Sequence, residues 1–335
     1  RHSFENGYWS FKARDQAEGM YLTWAGIIET YLIAWDEFKS ADRWISEFDA
    51  LHARHPTFAA LETEVRAVAA IFAILAYRQP SHPQLEGWAQ KLKRVLFQDI
   101  APNLRMTSAQ HLLFYLGWIR GELNEAGELV SRLQPFAESD DVAPLTRIAW
   151  LAMLSGYHNF NGEPELALRV IQQGLALAED SGVHLLDPVL LAQEFWASLI
   201  SGHPNWALIG RTRGLPLVRG HMHDAHVYHQ RFLAAVWADD LEGMLTWARA
   251  GVRSAEAAGA GWPLGLLQAA LARALIRSGD RNAGLAQLAQ AERIAEALRS
   301  KTVQAMCLQI RTEDALTSLT PAETTDFMRR LFELL

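Results

Sequence analysis

Several features that define common protein classes are scarce or missing. The chain of 335 residues has a single cysteine, Cys307, which excludes a disulfide framework and fits a reducing compartment. No uncharged apolar run reaches the roughly 18 residues of a membrane span. The chain has 31 Lys and Arg residues and 38 Asp and Glu residues, and its net charge of −7 disfavours a nucleic-acid surface. We therefore expect a cytoplasmic domain that contacts neither membranes nor nucleic acids.

Catalytic motifs are also missing. The sequence has no G-x-x-x-x-G-K-[ST] phosphate loop and no Gly-x-Ser-x-Gly nucleophile elbow. Cys307 lies in an apolar helical run, where an inert buried thiol is expected. The run Asp239-Asp240-Leu-Glu242 suggests a magnesium motif of helical synthases, but its position at a repeat turn is better explained by the start of a helix, where acidic residues suit the helix dipole. We expect no enzymatic activity and no cofactor.

Glycines recur at a regular interval along the chain. Gly121, Gly162 and Gly202 interrupt helical stretches at intervals of 41 and 40 residues, and each is followed five residues later by Ala. Glycine tolerates the backbone of a tight turn, and the small Ala lets the second helix approach the first. Sustained period-two alternation is absent, so the pattern predicts an all-α repeat protein with a period of about 40 residues.

Further breaks extend the series in both directions. They predict helix-pair turns near residues 36, 80, 240 and 279, in addition to the three glycines. Thr320-Pro321-Ala-Glu323 has the form of a capping box that opens a last helix. We predict that residues 1–335 form one right-handed superhelix, an α-solenoid of about seven antiparallel helix pairs, with C-terminal helices in 301–335. The alternative is an irregular helical bundle.

The start of the sequence is typical of a segment of a longer protein. Its first residue is Arg1, and the residues from Phe4 onward already follow a helical pattern. We expect a fragment of a longer protein, whose cut ends would expose apolar faces and allow self-association.

One phrase carries a family resemblance. Gly162-Glu-Pro-Glu-Leu-Ala167 runs into Gly174-Leu-Ala-Leu-Ala178-Glu-Asp-Ser-Gly182, and a related phrase follows at Ala248–Gly259. The pattern resembles tetratricopeptide helix pairs in a long-helix form. It is similar to the helical repeat domain of the large ATP-dependent bacterial transcription activators of the maltose-activator type. That resemblance implies a regulatory segment that senses an inducer or a partner between a nucleotide-binding module and a helix-turn-helix.

The tetratricopeptide pattern also predicts which first-helix positions line a concave groove. Aligned on the turn residues, these positions include Ser108, Ala149, Ala152, Gly156, Val189, Ala192, Leu199, Leu233, Val236, Leu266, Ala269 and Ile276. The aromatic members Tyr115, Trp118 and Trp196 together offer a stacking surface for a ligand, although packing between helices is the favoured interpretation for any one of them. The candidate groove residues are His111, Tyr115, Trp118, Asn159, Trp196, His226, His229 and Arg273.

The segment His221–His229 is rich in histidine. Residues three apart share a helix face, so His223, His226 and His229 are candidate metal ligands. Ordinary capping and surface histidines are the favoured interpretation, ahead of a polar patch that titrates near neutral pH, and we predict no metal site.

Three functional hypotheses follow. The first is a regulatory repeat domain that binds a small-molecule effector or a protein partner in its groove. The second is a protein-interaction or oligomerisation scaffold that uses its convex face or its ends. The third is a helical metal-dependent enzyme centred on the His221–His229 segment.

Overall fold

The computed structural model describes residues 1–35, 37–208, 222–318 and 321–334. Helices make up 82% of the chain, and the described residues contain no strand, which confirms the all-α prediction. None of the helices in these ranges is long and apolar enough to cross a membrane. Asp36, Thr320 and His221, which the sequence analysis assigns to a turn, a helix cap and the histidine segment, lie outside the described residues.

The chain divides into two compact units. Unit 1 comprises residues 1–118 and 123–205, and unit 2 comprises residues 119–122 and 206–335. A short 3-10 helix at Lys39–Ala41 precedes α3, and a π-helix at Phe114–Arg120 continues α6. The helices of unit 1 are α1 (His2–Lys12), α2 (Ala17–Ala34), α3 (Asp42–Arg54), α4 (Leu61–Arg78), α5 (Leu85–Val95), α6 (Pro102–Leu113), α7 (Leu123–Ala137), α8 (Pro144–Phe160), α9 (Pro164–Ser181) and α10 (Asp187–Ile200).

Unit 2 repeats the same alternation of first and second helices. Its helices are α11 (Met222–Trp237), α12 (Leu241–Ala258), α13 (Gly261–Arg277), α14 (Arg281–Leu298), α15 (Lys301–Ser318) and α16 (Pro321–Leu334).

Packing in each unit runs from neighbour to neighbour. In unit 1 the first helices form a stack in which α2 packs on α4, α4 on α6, α6 on α8 and α8 on α10. In unit 2 the equivalent stack is α11, α13 and α15. Each second helix packs against its own first helix, as α5 does on α4 and α9 on α8. This arrangement is that of a helical repeat, and it places one face of every first helix along a common wall.

The turns between paired helices use left-handed backbone. Gly162 (φ +72°), Gly202 (φ +78°) and Gly279 (φ +92°) each follow the end of a first helix. Asp239 takes the same role before α12 with φ +55°, a conformation that Asp tolerates better than most residues. The glycines therefore sit where the chain reverses between antiparallel helices, and no side chain has to be strained there.

The acidic run at residues 239–242 has a structural role. The Asp240 carboxylate accepts a hydrogen bond of 2.9 Å from the backbone N–H of Gly243 and so caps α12. Asp239 forms an ion pair with Arg277 of α13. Asp280 caps α14 in the same way, accepting from the N–H of Ala283 at 3.2 Å. The Asp240 and Asp280 carboxylates thus satisfy free N–H groups at helix starts.

Candidate functional site

A cavity of about 410 Å³ opens in unit 1 along the stack of first helices. Every first helix of this unit contributes side chains to it, so the wall is built by repetition of one helix face. Such a volume suits a small organic ligand. The lining residues are Glu29, Leu32, Ile33, Trp35, Glu62, Arg66, Tyr77, Asn103, Leu104, Thr107, Gln110, His111, Leu145, Thr146, Ala149, Met153, Leu185, Leu186 and Val189.

The charged groups of the cavity lie on α2 and α4. The Arg66 guanidinium donates to both carboxylate oxygens of Glu29, with Nη2 at 2.8 Å from Oε2 and Nε at 3.2 Å from Oε1. Glu62 lies one helical turn before Arg66, and its side chain is exposed. The ion pair neutralises Glu29 and Arg66 against each other, which leaves the carboxylate of Glu62 as the uncompensated charge of this wall.

The middle of the cavity, on α6, carries uncharged polar groups. The Thr107 hydroxyl lies 3.2 Å from that of Thr146, which joins α6 to α8. The Asn103 Oδ1 accepts from the N–H of Ala143 at 2.9 Å, where α8 begins. Gln110 and His111 line the cavity beside them. These groups can orient a ligand by hydrogen bonds without contributing charge.

The far wall, on α8 and α10, is aliphatic. Apart from Thr146, its lining groups are hydrocarbon or thioether side chains. The last of them along the chain are Leu186 and Val189, at the start of α10. Leu185 is 52% exposed, and Ile33 on the opposite wall is 53% exposed. Large aliphatic side chains left in water beside a cavity give a ligand apolar surface to cover. The cavity thus changes from charged to polar to aliphatic along the stack.

His111 is neutral in the folded chain. Burial lowers the pKa of its imidazole to about 4. At neutral pH the ring therefore offers one N–H donor and one acceptor nitrogen to the cavity. It does not bring a positive charge.

Tyr77 and Trp35 form the aromatic part of the lining. The Tyr77 ring lies between two phenyl rings, with centroids at 5.1 Å from Phe38 and 4.9 Å from Phe114. Burial raises the pKa of its hydroxyl, which stays protonated. Trp35 follows α2 with a left-handed backbone (φ +46°). Trp35 thus lines the cavity from the end of a helix.

The candidate residues of unit 1 separate into two groups. His111 lines the cavity, together with Ala149 and Val189, whereas Tyr115, Trp118, Asn159 and Trp196 are not among the lining residues. These four pack between neighbouring first helices, which for the three aromatic residues is the alternative stated from the sequence. Tyr115 meets Phe72 edge-on at 5.2 Å, Trp118 donates from Nε1 to the Met153 carbonyl at 3.2 Å, and Trp196 meets Phe160 edge-on at 4.5 Å.

Asn159 provides a polar link in the same interior. Its Nδ2 donates to the side-chain Oε1 of Gln193 at 3.0 Å and to the Gln193 carbonyl at 3.1 Å. Both side chains are buried. Asn159 therefore joins α8 to α10 rather than facing the cavity.

The candidates of unit 2 lie on α11 and α13. Burial lowers the pKa of His226 to about 3 and that of His229 to about 4, so both rings are neutral near pH 7. Arg273 donates from Nη2 to Glu313 of α15 at 2.8 Å. Arg273 thus contributes to the contact between first helices in this unit.

The histidine segment is not assembled into a metal centre in the described part of the chain. Over residues 222–318 and the other described ranges, no group of three or more His, Cys, Asp or Glu side chains is arranged to hold a metal ion. His223 lies 3.9 Å from a carboxylate oxygen of Asp224, the next residue along the helix.

The charged wall was not predicted from the sequence, although the spacing contains a signal for part of it. Ala149 and Val189 each lie thirteen residues before their turn glycines, Gly162 and Gly202, and both line the cavity. The same count back from Gln79, which ends α4, reaches Arg66. Applying the same count to the helix pair without a turn glycine would have identified Arg66, one member of the ion pair.

Comparison with known proteins adds no family assignment. The chain matches no protein-family model, and a search of curated proteins finds no relative.

Proposed function

We propose that unit 1 is a ligand-binding module that takes a small organic effector into its cavity. The observation that carries the proposal is the graded lining, from the Glu29–Arg66 pair on α2 and α4 to the aliphatic wall of α8 and α10. A concave, mainly apolar surface with a few placed polar groups is typical of small-molecule sites. Because five first helices share the wall, a bound ligand would hold them together and stabilise the stack.

The proposed role is binding rather than catalysis. The Thr107 and Thr146 hydroxyls are engaged with each other, and the ring of His111 is adjacent to neither a thiol nor a carboxylate partner in the described contacts. A nucleophile needs a base within hydrogen-bond reach, and that base needs an orienting partner. The lining is better suited to recognising a shape than to moving protons.

The proposal extends to the whole chain. Its period of about 40 residues supports a right-handed superhelix of about seven helix pairs. The phrase Gly162–Gly182 supports a regulatory segment of a bacterial ATP-dependent transcriptional regulator of the maltose-activator type, in the cytoplasm. In that setting, effector binding in unit 1 would be the sensed event.

Thermal-shift screening of the full chain with a metabolite collection tests the proposal, followed by calorimetry on each hit. Ala149→Phe fills the cavity from α8 and should abolish binding. Ala176→Phe makes the same change at an exposed position on α9, outside the cavity, and should bind like the wild type. Hits that bind equally to both variants, or a collection that yields no hit, would favour a protein-interaction scaffold.

A further inference from the structure

The lining groups of the unit 1 cavity specify the charge of its ligand. Two carboxylates, Glu29 and Glu62, and one guanidinium, Arg66, border the cavity, which leaves one net negative charge. His111 adds none, since its imidazole is neutral at pH 7. An anionic ligand would therefore meet an unfavourable field, whereas a cation would meet a favourable one.

The three charged groups are not equally available to a ligand. Arg66 and Glu29 hold each other through several N–H···O contacts. The Glu62 carboxylate forms no hydrogen bond or ion pair with any residue in the described part of the chain, and it is exposed. Glu64, its neighbour on α4, is by contrast paired with Lys91 at 2.9 Å. A ligand cation can pair with Glu62 without breaking an existing contact.

The rest of the lining specifies what the cation is attached to. The walls of α8 and α10 offer Leu145, Met153, Leu186 and Val189, with the exposed Leu185 beside them. Hydrocarbon packed against these side chains would leave water at about 25 cal/mol per Å² of apolar surface. The charged and aliphatic side chains line one and the same cavity, so a single ligand in it can contact both.

We propose that the cavity selects an aliphatic amine, with its ammonium group paired to Glu62 and its hydrocarbon body against α8 and α10. This inference rests on the proposed function, because it names the chemical class of the ligand for the same cavity. The polar groups of α6 lie between the two ends and accept or donate hydrogen bonds to any uncharged polar group along the molecule.

Isothermal titration of the full chain with octylamine, octanol and octanoate at pH 7.5 tests the inference. The three probes share a hydrocarbon body and differ in head-group charge. Octylamine should bind roughly three- to tenfold more tightly than octanol, with octanoate the weakest, and added salt should narrow the difference. Glu62→Gln should remove the preference for the amine, while Glu128→Gln, an equal charge change on the exposed face of α7, should keep it.

The outcomes separate the two proposals. If octanol binds as tightly as octylamine and Ala149→Phe abolishes both, the cavity binds ligands and the amine inference alone is overturned. An amine preference that survives Glu62→Gln overturns it as well. If none of the three probes binds and the metabolite screen also yields no hit, the proposed function fails together with the inference.

Discussion

The indole of Trp118 occupies the space left by the missing side chain of Gly156. A Cβ atom at Gly156 would lie 2.0 Å from Cζ2 of the indole, far inside van der Waals contact. Trp118 is fully buried, and Gly156 lies on the neighbouring first helix. The close approach of α6 and α8 therefore depends on a glycine in the middle of a helix, where glycine is otherwise unfavourable.

Gly156→Ala should consequently destabilise the chain by at least about 2 kcal/mol, because the buried indole has to move. Urea denaturation followed by far-UV circular dichroism measures the loss. Gly87→Ala is the matched control: no atom lies within 4 Å of its added Cβ, and its helix α5 gains intrinsic propensity. That control should be stabilised by roughly 0.5–1 kcal/mol. Equal effects of the two substitutions would contradict the packing account.

Asn159 gives a prediction that separates packing from binding. Asn159→Ala removes two hydrogen bonds to Gln193 and leaves the buried amide of Gln193 without that partner. The expected loss is about 1–3 kcal/mol in the free energy of unfolding. Ligand affinity should stay within about twofold of the wild type, since Asn159 lies outside the cavity lining. A large change in affinity with unaltered stability would place Asn159 in the site after all.

The Glu29–Arg66 pair should contribute modestly to stability. The two side chains are 31% and 32% exposed, so a double-mutant cycle with Glu29→Gln and Arg66→Met is expected to give a coupling of about 1 kcal/mol. Arg54 and Asp15, which are 3.4 Å apart and more exposed, should give no measurable coupling in the same assay. If the coupling energy of Glu29–Arg66 is no larger than that of Arg54–Asp15, the bidentate geometry does not persist in solution.

The buried imidazole of His111 should make the free energy of unfolding depend on pH. Its pKa falls from an ordinary value of 6.5 to about 4 on folding, so the unfolded chain takes up the proton first as the pH decreases. The stability linked to His111 is complete above about pH 6.5 and is lost progressively toward pH 4. His111→Gln should lessen the acid loss of stability by roughly 1–3 kcal/mol at pH 4.5, measured by denaturation across the range. The free energy of unfolding of His111→Gln should still decrease somewhat toward acid pH. Burial also depresses the pKa of His226 and of His229, which remain in this variant.

The sequence predicted the all-α class and much of the repeat because both depend on local chemistry. Gly162 and Gly202 have the left-handed backbone that a tight turn requires, and a Gly can be read directly from the sequence. The groove positions Ala149 and Val189 follow from counting back along a regular α-helix. These features need no knowledge of the neighbouring helices.

The π-helix at Phe114–Arg120 is a feature that such counting cannot detect. A π-turn holds an extra residue, so positions before it are shifted along the helix by about one. Thr107 lies fourteen residues before Gly121, yet it lines the cavity as Ala149 does at thirteen residues before Gly162. Trp118 lies within this π-helix and packs against Gly156 of the neighbouring helix α8. Tyr115 and Trp118 pack between helices, and so do Asn159 and Trp196 at the matching positions of the regular helices α8 and α10. Spacing alone placed all four in the groove, because it cannot tell a helix face that lines a cavity from one that packs on a neighbouring helix.

The most direct measurement is the methyl NMR spectrum of the full chain, titrated with octylamine and with the best compound from the metabolite screen. Met153 lines the cavity, whereas Met20 and Met106 are buried elsewhere in unit 1. The account predicts a saturable shift of the Met153 Cε methyl resonance, with those of Met20 and Met106 nearly unchanged. If a bound ligand leaves Met153 unaffected and shifts resonances outside the cavity, its site lies elsewhere and the central claim is wrong.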